Sequence, residues 1–449
     1  MPELTSRALP ACAALLLSLS WPLAASAQAA ATTTAPATPG AGASGTPALE
    51  INARVVRPEV GVLLQAAQSL LQENKFAEAL AKLTDAEAIL NRTPWETWVI
   101  ERTRASTAQR AGNTALTIQS LDAALLTGQA DATETLSLIE ALVSLSLRER
   151  DTARALRWAN RYEELKGTND VVRVMRIQAM ADSGDEAGAK QALAARVEEA
   201  GKAGRSTPES HLRLLLSLQY RSKDPGSSTT LERLVNSYPR PEYWAELVSA
   251  TSRAPNLSDR ALLELYRLLR ATGSKLTADM RAEMAFLSLR AGQPAEALVL
   301  VEEGYADGSL GTGTGAAEHG RLRDQARRAA AADQADRAAA EAAARRAADG
   351  TALADLGFAK ISALPPQAGA AAVEPGLTMI EQGVAKGGLK RPAEIRLHLG
   401  IAQMAAGRKD AAQQTLTDLL AQATNDPLAP AIRLWSIYAG APALLPPRQ

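Results

Sequence analysis

Leu397-His398-Leu399-Gly400-Ile401-Ala402 is followed by Gly407 and then by Ala412, Leu416 and Leu419. The apolar positions recur at the spacing of one helix face, and Gly407 divides them into two helices. Gly400 and Ala412 lie on opposite sides of that turn, so two antiparallel helices can approach closely where each carries a small side chain. The same small–turn–small spacing fits Ala285, Gly292, Ala297 and Val301. It fits Ala67, Ala79, Leu83 and Ala86 around Asn74-Lys75-Phe76. Looser copies run through Ala105, Gly112, Thr117, Leu121 and Ala124, through Val143, Ala155 and Ala159, and through Gly184-Asp185, Ala189 and Leu193. One copy is expected by chance in Ala-rich helices, but six at a period of about 34 residues predict an all-α array of helix pairs.

This spacing resembles the tetratricopeptide repeat (TPR), and the resemblance implies an α-solenoid. Composition agrees with it. The 449 residues are 46% hydrophobic, much of that Ala, and only 4% aromatic, which suits helices packed through small contacts better than one thick core. Strand alternation is nearly absent. With 49 basic and 49 acidic residues the formal charge is zero, which argues against a nucleic-acid partner. One Cys and three His exclude a disulfide scaffold and leave little for thiol catalysis or a His/Cys metal cage, so no metal or cofactor is expected.

Residues 1–27 read as a secretory signal: Arg7, the apolar run Ala11–Leu19, Pro22 and the small-residue site Ala25-Ser26-Ala27, with cleavage before Gln28. Two rivals are an uncleaved anchor and a lipoprotein at Cys12, although the apolar run follows that Cys instead of preceding it. Residues 28–56 are an Ala/Thr/Pro/Gly linker that cannot bury enough surface to order itself. Helical repeats are expected over 57–205, a divergent helical segment over 206–270, further repeats over 271–437 and a loose tail over 438–449. Within the last repeats, 316–348 reads as one or two long Ala/Arg helices, and 362–374 as an inserted loop. Val301–Leu310 and Ile380–Leu389 align without a gap, Glu302 with Glu381, Gly304 with Gly383 and Gly308 with Gly387. Each copy predicts a helix that ends at a left-handed Gly.

A second resemblance covers roughly 240–437. Tyr243-Trp244, Leu265-Tyr266-Arg267-Leu268, Ala271-Thr272-Gly273, Gly304 to Gly311, Gly383 to Pro392, Leu399-Gly400 and Arg433-Leu434-Trp435 look like a family of exported proteobacterial TPR proteins of unassigned activity. It implies an exported Gram-negative envelope protein, some relatives being associated with TonB-type energy transduction.

No catalytic constellation is expected. Glu163-Glu164, Glu198-Glu199 and Glu302-Glu303 diverge by about 100° on a helix and cannot act as dyads. His211, His319 and His398 lie in no ligand motif and are read as surface or packing residues. Gly311-Thr-Gly-Thr-Gly315 precedes a helix but follows no strand, so it is a plain loop and not a phosphate cradle. Lys386, Lys390 and Arg391 form a basic cluster near a helix C-terminus, suited to the helix dipole or to an acidic partner.

The TPR resemblance also implies which positions line a groove. Carried onto this chain they are Phe286, Leu289, Phe358, Ile361, Ile401 and Met404, with Gln68, Leu71, Ser106 and Gln109 at the same positions of the first two repeats. The apolar set predicts a peptide groove, against the competing reading that it is core. The function expected is a non-catalytic periplasmic scaffold or adaptor that binds envelope proteins, with a TonB-system accessory as one form of it. The alternatives are a structural subunit of an envelope polymer-export complex and a carboxylate-dependent hydrolase. No membrane span is expected after signal cleavage.

Overall fold

The computed structural model describes residues 54–365 and 368–447, and these contain twenty α-helices and no strand. The expected signal peptide and all of the linker before Arg54 lie outside the described residues. No helix among the described residues is long and apolar enough to cross a membrane. The chain divides into two compact units, one ending at Arg196 and the other beginning at Val197. The segment 206–270, which the sequence sets apart, therefore belongs to the second unit.

The first unit runs through α1 (Pro58–Gln72), α2 (Phe76–Glu87), α3 (Pro94–Arg110), α4 (Thr114–Leu126), α5 (Ala132–Arg148), α6 (Thr152–Glu164) and α7 (Asp170–Asp182) into α8 (Glu186–Lys202). One turn recurs in it. A residue of positive φ (Asn74, Gly112, Arg150, Gly184) ends the first helix of each pair. The next residue then donates its amide to the carbonyl five positions back: Lys75 to Leu70, Asn113 to Ala108, Asp151 to Ser146 and Asp185 to Met180. In three of these turns the same residue caps the second helix, the side chains of Asn113, Asp151 and Asp185 accepting from the amides of Leu116, Arg154 and Gly188.

The turns at Lys75, Asn113 and Asp151 are evenly spaced, and the turn at Asp185 follows more closely. The expected period near 34 thus holds only between Asp151 and Asp185, the two earlier intervals being longer by about one helical turn. The cause is helix length: α3 and α5 have 17 residues and α7 has 13. Small side chains still sit where helices meet, with Ala67, Ala79, Ala108, Ala124, Ala155, Ala159 and Ala189 completely buried. Ile118, Leu121, Leu142, Trp158, Tyr162 and Val172 form a continuous core between them.

The second unit contains α9 (Glu209–Arg221), α10 (Ser227–Ser237), α11 (Pro241–Ser252), α12 (Asp259–Ala271), α13 (Ala278–Arg290), α14 (Pro294–Ala306), α15 (Ala316–Arg346), α16 (Thr351–Ser362), α17 (Ala370–Lys386), α18 (Pro392–Ala405), α19 (Lys409–Gln422) and α20 (Ala429–Gly440). The Ala/Arg segment is one helix, α15, of 31 residues and about 46 Å at the usual rise. It lies on α14, and ion pairs join the two helices. Arg323 and Arg327 both reach Glu302, and the Arg323 guanidinium sits 4.1 Å from the Tyr305 ring centroid.

Helices α16 and α17 make the closest approach in the unit. A Cβ on Gly357 would meet the Gly376 carbonyl oxygen at 2.6 Å, and one on Gly383 would meet the Gly350 oxygen at 2.6 Å. Gly350 and Gly357, at the start of α16 and within it, thus face Gly383 and Gly376 of α17, and backbone rests on backbone. Gly308 has the expected positive φ, 73°, but Gly387 combines φ of 75° with ψ of −165° and so is extended with positive φ instead of a left-handed helical cap.

The second unit also closes on itself. Its last helix, α20, packs against α19 and also against α10 and α12. Trp435 Nε1 donates to the Glu264 carbonyl at 3.0 Å, and the Tyr438 hydroxyl donates to the Ala271 carbonyl at 3.1 Å. Trp244 and Trp435 meet the Tyr438 ring edge-on. The tail is pinned as well, since the Leu445 amide donates to the Pro239 carbonyl at 2.8 Å.

Candidate functional site

Closure of the second unit gathers charged side chains that the sequence scatters between Glu264 and His398. Arg267, on α12, is buried and forks onto Glu296 of α14, with Nε to Oε1 at 2.9 Å and Nη2 to Oε2 at 2.5 Å. Its Nη1 donates to Glu264 at 2.5 Å, and Ser288 Oγ donates to Glu296 at 3.0 Å. Burial alone would raise the Glu264 carboxyl, but the Arg267 charge and the bond to His398 hold it below the ordinary range. An ionised carboxylate only accepts, so His398 Nε2, 2.9 Å away on α18, is the donor. The imidazole stacks on Phe358 of α16, centroids 3.6 Å apart, and the Arg267 guanidinium sits 4.8 Å from the same ring.

Beside this cluster lies a cavity of about 250 Å³. Its wall takes Phe358 and Ile361 from α16, Ile401 and Met404 from α18, Trp435 and Tyr438 from α20, and Arg267 and Arg270 from α12. Four of the six residues expected to form a groove therefore share one opening, but not as an open groove. Phe358 is only 1% exposed, Ile361 and Ile401 are buried, and α12 and α20 cover the face. Phe286 is not on this wall: it is 49% exposed, with Arg290 near its ring, and Leu289 is half-buried. The peptide-groove expectation for Phe286, Leu289, Phe358, Ile361, Ile401 and Met404 is corrected accordingly. The sequence shows the inward register but not the returning helix.

Of the two readings of the basic cluster, the contact patch for an acidic partner is the one the geometry argues against. Lys386 Nζ donates to the Ala344 and Arg345 carbonyls at 3.3 and 2.9 Å, which satisfies the C-terminus of α15. Arg391 bonds Asp355 at 2.6 Å and Glu394 at 3.3 Å, so its charge is used inside the unit. Lys390 alone projects, 75% exposed, with Asp349 at 3.5 Å. In the Gly311–Gly315 loop the Gly311 amide donates to His319 Nδ1 at 3.2 Å, so that donor is turned onto its own helix. The neighbours Glu302 and Glu303 hold different partners, Arg323 and Arg327 for one, Arg270 and Arg281 for the other.

In the first unit the equivalent positions are less covered than Phe358 and Ile401. Ser106 is exposed, and Gln68, Leu71 and Gln109 are half-buried. They lie on α1 and α3. Among the described residues no cluster of three or more His, Cys, Asp or Glu side chains has the geometry of a metal site.

No protein family and no curated protein matches the chain. Among solved structures, the chain is similar to one of Naa15/Naa10 bound to HypK-THB, with a TM-score of 0.32 and 12% identity. That likeness covers 82% of this chain and 59% of the other, so this chain spans little more than half the length of its counterpart. It is also similar to the APC/C hetero-tetramer Cut9–Hcn1, with a TM-score of 0.23, 13% identity and coverage of 86% and 92%. Neither likeness is close, and the assignment of the fold rests on the helix pairs, their shared turn and their small-residue contacts.

Proposed function

We propose that this chain is a non-catalytic scaffold that holds an extended protein segment on the first helices of its N-terminal unit. The observation that carries this reading is a contrast at one register position. Side chains there are covered on α16 and α18, at Phe358 and Ile401, whereas in the first unit Ser106 is exposed and Gln68 half-buried. Stacked helix pairs present such rows as long binding surfaces. Glutamine amides at Gln68 and Gln109 both donate and accept, which suits the N–H and C=O groups of an extended backbone.

We place the protein in the periplasm of a Gram-negative envelope on the strength of the signal-like segment that ends at Ala27. The family resemblance supports an accessory role beside a TonB-type system as one setting for the scaffold. N-terminal sequencing of the exported protein is expected to begin at Gln28; retention of the leader overturns cleavage.

The scaffold reading is tested by placing a photo-reactive residue at position 106 or at position 358 in living cells. Position 106 is expected to capture an envelope protein and position 358 to remain silent. Capture from 358 with silence at 106 overturns the assignment of the binding face.

A further inference from the structure

The cavity in the second unit has unused hydrogen-bond donors on its wall. Each nitrogen of Arg267 already bonds Glu264 or Glu296, and its charge is matched by those two acids. Both oxygens of Glu296, the acid on the wall, are occupied by Arg267, with Ser288 on one of them as well. Arg270, one turn further along α12, differs. It holds Glu303 through Nη2 alone, at 2.8 and 3.1 Å, and Glu303 is shared with Arg281 Nη1 at 3.3 Å. Nε and Nη1 of Arg270 have no hydrogen-bond partner among the described residues, and the side chain faces the cavity. The wall thus offers donors from a cation and no free carboxylate oxygen, which selects a ligand with an accepting, anionic head. The rest of the wall is largely apolar, with Phe358, Ile361, Val373, Ile401, Met404 and Trp435 around the space.

We propose that this cavity binds a small monocarboxylic acid, its apolar body among Phe358, Ile361, Ile401 and Met404 and a carboxylate oxygen on Arg270. Size follows from volume. A dry cavity of about 150 Å³ holds benzene, so one of about 250 Å³ accepts a body on the order of ten non-hydrogen atoms. The head group gains from its position, because a charge-assisted bond beside apolar walls is stronger than the same bond in water. The site belongs wholly to the second unit and does not involve the face around Ser106, so it stands or falls apart from the scaffold reading.

Three probes of one shape test it on the full chain by saturation-transfer NMR and thermal shift: 3-phenylpropanoate, 3-phenylpropan-1-ol and 3-phenylpropylamine. The acid is expected to bind at least about tenfold more tightly than the alcohol, with the amine weakest, as for a single charge-assisted bond. Arg270→Met is expected to bring the acid down to the level of the alcohol, while Arg270→Lys keeps part of the preference. Met404→Trp fills the space and should abolish binding of both. An amine that binds as well as the acid overturns the proposal, as does acid binding that survives Met404→Trp, or no binding by any probe. The order of the three probes on the unaltered chain decides the head group even where a variant folds poorly.

Discussion

The two units build the same helix pair with the same turn, which recurs in the second at Gln293 and Arg408, and differ in what else holds the pairs. In the first, three of the four turns place a polar residue whose side chain also caps the next helix, as Asn113 and Asp151 do. Its stability is local, and its first helices leave Ser106 exposed, with Gln68, Leu71 and Gln109 half-buried. In the second, the decisive contacts join residues distant in sequence, Glu264 to His398 and Trp435 to the Glu264 carbonyl. Around Phe358 and Ile401 the equivalent face is thereby covered. Small side chains at helix contacts are common to both, so they do not decide whether a solenoid stays open. A last helix with two large aromatic residues able to reach back does.

The largest expected effect breaks that closure. Trp435→Ala removes a side chain only 2% exposed and leaves the Glu264 carbonyl without its donor, at a cost of about 4 kcal/mol. Hydrogen exchange read by mass spectrometry should show protection lost in α10, α12 and α20 and unchanged in α1–α6. Unchanged protection in α12 would mean that α20 does not hold the unit closed.

Gly357→Ala comes next, at about 3 kcal/mol, because the new methyl meets a backbone oxygen that cannot rotate away. Gly112→Ala is the counterpart in the first unit. It meets nothing within 4 Å and bears only the left-handed backbone penalty, about 1 kcal/mol. Urea unfolding of the two variants measures the difference, and equal losses would show that the α16–α17 interface can part without cost.

Acid should then separate α15 from its neighbour. The hydrogen bond from Arg323, joined by that from Arg327, holds the Glu302 carboxyl down at about 2. A depressed carboxylate contributes above its unfolded value near 4.3 and loses that contribution as pH falls towards 2. Exchange in α15 is expected to quicken over that window, and Glu302→Gln should remove the dependence. The smallest effect is a gain. Arg150 has φ of 60°, and Arg150→Gly should relieve the left-handed strain by about 0.5 kcal/mol, read as a slightly raised melting temperature.

The helix pairs were legible because their signal is local: Gly400 and Ala412, or Ala67 and Ala79, mark a contact across a single turn. The inward register of Phe358 and Ile401 was legible for the same reason. What covers them was not, since nothing near Phe358 records that His398 will stack on it or that α20 returns. The aligned glycines show the limit of pattern reading. Gly304 and Gly383 occupy the same place in the two copies, yet a Cβ on the first would meet Leu310 and on the second a backbone carbonyl. Identical letters there serve a side-chain contact in one place and a backbone contact in the other. Arg267 and Glu296 were invisible as a pair because 29 residues and two turns separate them.

The reach of α20 has a consequence in time. Trp435 and Tyr438 find their acceptors 171 and 167 residues earlier in the chain. At about 5–20 residues per second, a ribosome takes roughly 10–30 s to make that stretch, and α12 waits throughout with its aromatic partners unmade. The first unit, whose turns close over a handful of residues, can form while the rest is still emerging. A chain cut or stalled before Ala429 would therefore leave a finished first unit attached to an unfinished second one, exposed to whatever proteases or chaperones meet it there.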